Sequence, residues 1–331
     1  MDKINMNKAI VIGVFLLMFI LISGCNQLPQ LPNIPGLNKQ DDKPSVGRGV
    51  RLFFADDAPP KDRILVGGNS AFLIRVGIEN YGDEIDDAEL KLYDNLPGTK
   101  MEDNPLEIGT IEAAFFRYSD DGDVITNIIP SRTFTETKRV SYTEEEIVSG
   151  TKLNVFAELF IPQYRANIAT NLCLKRETDP DPTCSNKEVI TQTQLRRQAQ
   201  YMPVTVERIE KTATPLSEND YFINLKITFR NFGGGTIESV GGVKDETGRK
   251  LFQSIETPHV SLGGNNAECS PTPELIFDND VAVLNCFISG ITAKETFLIY
   301  PLTIGYEFGY KLRAKVGPVP LVKISDLGRS V

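Results

Sequence analysis

Past residue 50 the chain alternates apolar and polar residues, a period of two that a half-buried strand imposes and a helix does not. In Ala71–Asn80, Phe72, Ile74, Val76 and Ile78 occupy alternate positions, with Arg75, Gly77 and Glu79 between them. In Tyr221–Asn231, Ile223, Leu225, Ile227 and Phe229 alternate with Asn224, Lys226, Thr228 and Arg230. The same pattern predicts strands over 50–54, 88–94, 153–161 and 164–174, then over 203–211, 281–289, 296–308 and 310–317. Turn signals such as GGNS, NLPG, DDGD, DETG and LGGNN separate them. Helix is scarce. Thr143 and Glu146 have capping-box spacing for one short turn, and residues 186–200 read as either a helix or a strand.

The two reference strands end alike, Asn80-Tyr81-Gly82 and Asn231-Phe232-Gly233, 151 positions apart. Asn and Gly take turn conformations readily, and the aromatic residue between them covers a sandwich end. The offset predicts a domain-sized internal repeat. At these residues the chain resembles the CARDB-like and related immunoglobulin-like modules of archaeal and bacterial surface proteins, in which an alternating strand runs into an N-x-G turn. The resemblance covers one strand and its turn in each half. It implies β-sandwiches in the cell envelope and transfers no functional residues. The expected fold is all-β, with two immunoglobulin-like β-sandwich domains in tandem over residues 46–200 and 201–331, long enough for two cores.

Ahead of the strands the pattern changes. Lys3 and Lys8 precede the uncharged apolar block Ala9–Ile22. As a helix this block spans about 21 Å against roughly 30 Å of hydrocarbon, which suits a secretory signal better than a membrane span. Ile22, Ser23, Gly24 and Cys25 then resemble the lipobox of prokaryotic lipoproteins. That resemblance implies a signal peptide over 1–24, cleavage before Cys25, a lipid on its sulfur, and the overall layout of an archaeal surface lipoprotein. An uncleaved helical anchor is the alternative; both leave the body outside the cytoplasm, held at a membrane. Residues 25–45, with Pro29, Pro32 and Pro35 at a three-residue period, read as a polyproline tether of about 60 Å, rather than as a PxxP ligand for domains that are mostly cytoplasmic.

Assigning Cys25 to lipid leaves Cys173, Cys184, Cys269 and Cys286. By proximity they pair as Cys173–Cys184 and Cys269–Cys286 across short Pro-containing loops, as suits an oxidising compartment. Zinc is the rival use of four cysteines, but no CxxC appears and the one histidine, His259, has no co-ligand pattern, so no metal site is assigned.

The net charge is −9, and removing residues 1–24, which carry +1, leaves about −10. With Lys and Arg scattered along the chain, no nucleic-acid footprint is legible and no attraction to anionic lipid is expected. Candidate chemistry is thin. A nucleophile–base pair would have to be built on His259, with Ser254 or Ser261 as the nearest hydroxyls. Acids cluster at 56–57, 83–87, 120–123 and 278–280, in hydrated turns unsuited to raising a carboxyl pKa for glycoside hydrolysis; SDDGDV and DNDV fall short of an EF-hand register, leaving structural calcium at loop tips open. NFGGGT (231–236) lacks the Lys and helix of a phosphate loop and reads as a turn or bulge before a strand. Tyr81, Tyr164, Tyr221, Tyr300, Tyr306 and Tyr310 are candidates for a sugar-binding surface, though no Trp is present and strand tyrosines usually finish a core.

No catalytic residue and no cofactor is assigned. The expected function is that of a membrane-anchored surface lipoprotein binding an envelope or cell-surface protein in adhesion or scaffolding. A carbohydrate or small-solute module, or an accessory subunit of a secretion or proteolysis complex, is the alternative. An extracellular hydrolase ranks last.

Overall fold

The longest strands run straight through two places where the alternation breaks. The computed structural model describes residues 49–96, 101, 106–115, 129–176, 184–195, 201–217, 219–238, 253–292 and 297–327; Cys25, the signal and tether segments and SDDGDV lie outside them. In chain order the strands are β1 (Val50–Phe54), β2 (Ile64–Val66), β3 (Phe72–Ile74), β4 (Val76–Asn80), β5 (Ile85–Asp94), β6 (Leu106–Ile111), β7 (Ser131–Phe134), β8 (Lys138–Val140), β9 (Lys152–Lys175) and β10 (Lys187–Thr191). They continue as β11 (Val204–Pro215), β12 (Asp220–Asn231), β13 (Thr236–Glu238), β14 (Gln253–Glu256), β15 (His259–Leu262), β16 (Asn265–Asn266), β17 (Glu268–Ser270), β18 (Glu274–Phe277), β19 (Val281–Thr292) and β20 (Phe297–Lys323). The protein is all-β, and two 3₁₀ turns, Gln192–Gln194 and Ile324–Asp326, are the helical elements among the described residues. Residues 186–200 thus contribute a strand and a 3₁₀ turn. At Thr143 a turn forms in which the Thr143 amide donates to Glu146 Oε2 at 2.8 Å.

β9 and β20 pair antiparallel from Lys175 opposite Phe297 to Lys152 opposite Pro320. The strands expected at 153–161 and 164–174 are one, and so are those at 296–308 and 310–317. The break is a bulge: Ile161 pairs with Tyr310 and Tyr164 with Phe308, so Pro162 and Gln163 together oppose Gly309. Two residues against one bring the alternation back in phase, and Leu159, Ile161, Tyr164 and Ala166 are all buried on one face. Pro162 falls in the bulge, a position at which strands tolerate proline.

From this pair the largest sheet extends in the order β16-β15-β20-β9-β5-β6, with β13 and β2 also on β20. Beside the two-stranded sheets β14-β18 and β3-β8, two sheets smaller than this one, β1-β4-β7 and β10-β11-β12-β19-β17, complete the sandwich layers. The inward rows of all three join in one apolar core, so residues from both sides of position 200 share a sheet and a core. At its middle Tyr164 stacks on Phe308 at 5.3 Å, and Tyr306 meets Phe229 of β12 edge-on at 5.3 Å. Each such buried aromatic contributes roughly 2–3 kcal/mol by area.

Both N-x-G turns take the same form. Asn80 and Asn231 are buried; each side-chain carbonyl accepts the amide of the glycine two residues on, at 2.9 Å for Gly82 and 3.3 Å for Gly233. Each side-chain amide donates to backbone carbonyls, of Asp83 and Glu112 in the first turn and of Gly235 in the second. A buried tyrosine closes each turn. A Cβ on Gly82 would lie 2.9 Å from the Tyr164 hydroxyl, and one on Gly233 would collide with that of Tyr310. Tyr310 also donates to Asn231 Oδ1 at 2.9 Å. The likeness of the two N-x-G ends is therefore a likeness of hydrogen bonding as well.

Disulfides join Cys173 of β9 to Cys184, and Cys269 of β17 to the directly opposed Cys286 of β19. Loops of this length stabilise by about 3 kcal/mol each in the loop-entropy account. Two such bonds point to an oxidising, extracytoplasmic environment. No helix among the described residues is long and apolar enough to cross a membrane.

Two outcomes test this core. Gly233→Ala should cost about 1–3 kcal/mol, read as a lower urea midpoint at unchanged slope, because Tyr310 and Pro203 leave no space for the methyl group. Burial also pushes the phenols of Tyr142, Tyr164, Tyr306 and Tyr310 above the ordinary 10.0. The unfolded chain releases those protons first, so stability should be full below about pH 10 and fall as pH rises beyond it, visible as declining urea midpoints.

Candidate functional site

The outer face of the β1-β4-β7 sheet gathers side chains far apart in sequence. Both edge strands run antiparallel to β4, and both carry Arg-x-Phe: Arg51 and Phe53 on β1, Arg132 and Phe134 on β7. Register sets them in two cross-strand rows, Arg51–Glu79–Arg132 and Phe53–Gly77–Phe134. Gly77 is required there, because a Cβ would collide with the Phe53 ring, which lies across β4. Phe53 thereby reaches Phe134 edge-on at 5.9 Å. Arg75, on the same face, places its guanidinium 4.5 Å from the centre of the Phe134 ring; that of Arg51 lies 5.6 Å from the Phe53 ring.

Glu79 holds the charge row together. Its side chain is 2% exposed, and it accepts from Arg132 at 2.6 Å and from the Tyr81 hydroxyl at 2.9 Å, with Arg51 at 3.5 Å. Burial, then the bond to Glu79, pushes the Tyr81 phenol above its ordinary range. Arg51 and Arg132 remain 45% and 63% exposed, so an approaching ligand meets guanidinium and ring while the carboxylate stays beneath. With Arg75 exposed as well, the face is cationic on an acidic chain. It can bind anions and apolar groups together.

The chain matches no protein-family model and no curated protein. Its function is therefore argued from its own residues.

The residues singled out by sequence lie elsewhere. His259 is exposed at the start of β15, whereas the Ser261 hydroxyl shares a hydrogen bond with Thr303 at 2.7 Å and Ser254 is buried in β14. DNDV closes a tight turn in which the Asp278 and Val281 amides and carbonyls bond reciprocally. Among the described residues no three His, Cys, Asp or Glu side chains converge as metal ligands. NFGGGT turns against Tyr310 and leads into β13. Of the six tyrosines, five are buried and Tyr300 half-buried. Their hydroxyls turn inward: Tyr221 to Lys175 O, Tyr300 to Thr292 O and Tyr306 to Val204 O. They offer no stacking surface for a sugar. Lys211, buried in β11, donates to Cys173 O and to Glu188 Oε2 at 2.9 Å, and its burial lowers its pKa; this pair ties β11 to the first disulfide.

The sequence reading missed Arg51, Phe53, Arg132 and Phe134 as a group. The available signal was Arg-x-Phe occurring twice with Gly-x-Glu between, but two rows of three outward residues become a surface only once strand order is known.

Double-mutant cycles test the charge row. The coupling of Arg132 to Glu79 should be about 1 kcal/mol or more and exceed that of Arg51 to Glu79, in line with the shorter contact; equal or vanishing couplings would contradict the arrangement.

Proposed function

We propose that this is a non-catalytic, membrane-tethered envelope protein that binds another macromolecule through the outer face of β1-β4-β7. The observation that carries the reading is the paired Arg-x-Phe rows: half-exposed guanidiniums and a Phe134 ring that is 41% exposed, built on a rigid sheet over a buried carboxylate. Arginine and aromatic residues dominate binding energy at protein interfaces. The two disulfides support an extracytoplasmic location, and the lipobox-like Ile22–Cys25 supports a lipid on Cys25 with residues 25–45 as the tether. The sandwich then serves adhesion or scaffolding: the lipid sets location, the tether sets reach, and the sheet face sets the partner. An archaeal surface lipoprotein with CARDB-like modules fits this layout.

A photocrosslinking residue at position 134, on intact host cells, should capture a defined partner, whereas the same residue at position 187, on the exposed edge of β10, should not. Equal capture at both positions, or none at 134, would exclude this face. Intact mass of the native protein should begin at Cys25 with added acyl mass, and a chain starting at Met1 without it would exclude the lipid tether.

A further inference from the structure

We infer that the occupant of this face is an acidic polypeptide segment in which apolar side chains separate the carboxylates. The inference rests on the binding reading above and adds the partner's chemistry. Charge gives the first half. Three guanidiniums face outward on a chain of net −9, and Glu79, the carboxylate between Arg51 and Arg132, is 2% exposed and occupied by Arg51, Arg132 and Tyr81. A carboxylate arriving from solvent therefore meets attraction at all three arginines and little repulsion from below. Arg75 lies over the Phe134 ring, an arrangement that leaves the edge donors of a guanidinium free for a carboxylate fork.

Spacing gives the second half. Arg51 and Phe53, like Arg132 and Phe134, stand two residues apart on one face, about 6.6–7 Å along the strand. An extended peptide repeats its own side chains at that same interval. Laid over the sheet, a segment alternating acidic and apolar residues on its facing side sets carboxylates against Arg51 and Arg132 and apolar groups against Phe53 and Phe134. An inorganic polyphosphate satisfies the arginines but leaves the exposed Phe134 ring in water. An anionic lipid surface is flat to either row and has no such period. The interleaved rings thus favour a polypeptide.

The test uses the full-length protein in detergent micelles and three probes: a labelled synthetic peptide repeating Glu-Ser-Leu-Ser, which when extended sets glutamate and leucine alternately along one face, inorganic polyphosphate, and phosphatidylglycerol vesicles. The peptide should bind saturably, more weakly at high salt. Arg75→Glu should weaken it on the order of tenfold, the effect of about 1.4 kcal/mol. Lys187→Glu, the same change in net charge on a distant strand, should leave it unchanged. Glu79 is held by Arg51, Arg132 and Tyr81, so reversing Arg75 orphans no buried acid; Phe134→Ser offers a second lever and should weaken the peptide but not polyphosphate. Peptide binding equally sensitive to both charge reversals would overturn the inference. So would polyphosphate or vesicles binding as well as the peptide with the same dependence on Arg75. If capture at position 134 succeeds while the peptide fails, the binding face stands and the acidic-polypeptide assignment falls; failure of both removes the face itself.

Discussion

The structure depends on the pairing of β9 with β20. These strands are the long axis of the largest sheet, and every other strand of that sheet attaches to one or the other, β16 and β6 through β15 and β5. Strands of typical length span about 17–20 Å and bury one face against a single partner layer. Two strands several times longer present a buried row to both smaller sheets. The bulge at Pro162–Gln163 makes this work: a phase slip there would turn half of each row toward solvent. With the bulge, Ile161 and Tyr164 face the same way, and the aromatic run Tyr164, Phe308, Tyr306 and Phe229 bridges from the long sheet to β12.

The two turn tyrosines sit at this bulge. Tyr164 lies just beyond it on β9, closing the turn at Gly82, and Tyr310 lies just beyond Gly309 on β20, closing the turn at Gly233. Each long strand thus locks an N-x-G turn from a different smaller sheet. The internal repeat and the long pairing are one device: related turns docked on a pair of antiparallel strands. In the second turn the tyrosine is fully hydrogen-bonded, to Asn231 and Gly235, whereas the buried Tyr164 hydroxyl has no hydrogen-bond partner among the described residues. The first turn relies on packing where the second adds bonds.

Alternation made the strands and the all-β class legible, because burial on one face dictates the residue type at each second position. Cysteine spacing made the disulfides legible, since both lie in short loops. Strand length was not, because Pro162 and Gly309 carry the usual signals of an end, and only the partner strand shows that they share a bulge. Nor was the candidate face. Outward positions on a strand tolerate almost any polar residue, so Arg51, Glu79 and Arg132 read singly as solvated charges. Their meaning comes from register, which local pattern does not encode. Tyrosine was ambiguous for a different reason: an amphipathic ring suits a core edge and a binding surface equally, and here the hydroxyls find partners inside.

Comparison of the two repeats isolates what the fold requires from what it merely permits. At the offset of 151, Asn80, Gly82 and the core residues Val76 and Ile78 correspond to Asn231, Gly233, Ile227 and Phe229, alike in type and buried in both except for the half-buried Gly233. The outward positions do not correspond in chemistry. Glu79 becomes Arg230, Gly77 becomes Thr228, and Arg75 becomes Lys226. Opposite them, the row Arg51–Glu79–Arg132 is replaced by Thr205–Arg230–Val281, and Phe53–Gly77–Phe134 by Arg208–Thr228–Val283. Arg230 instead pairs with Glu207 at 3.1 Å, the extra residue of a bulge in β11. The sandwich is built with either outer surface, so stability does not account for the paired Arg-x-Phe rows, nor for a glycine kept clear so that one phenylalanine can cross to another. A feature that the fold can lack, and that sets cations and rings in register on an acidic protein, is what the proposed binding role accounts for.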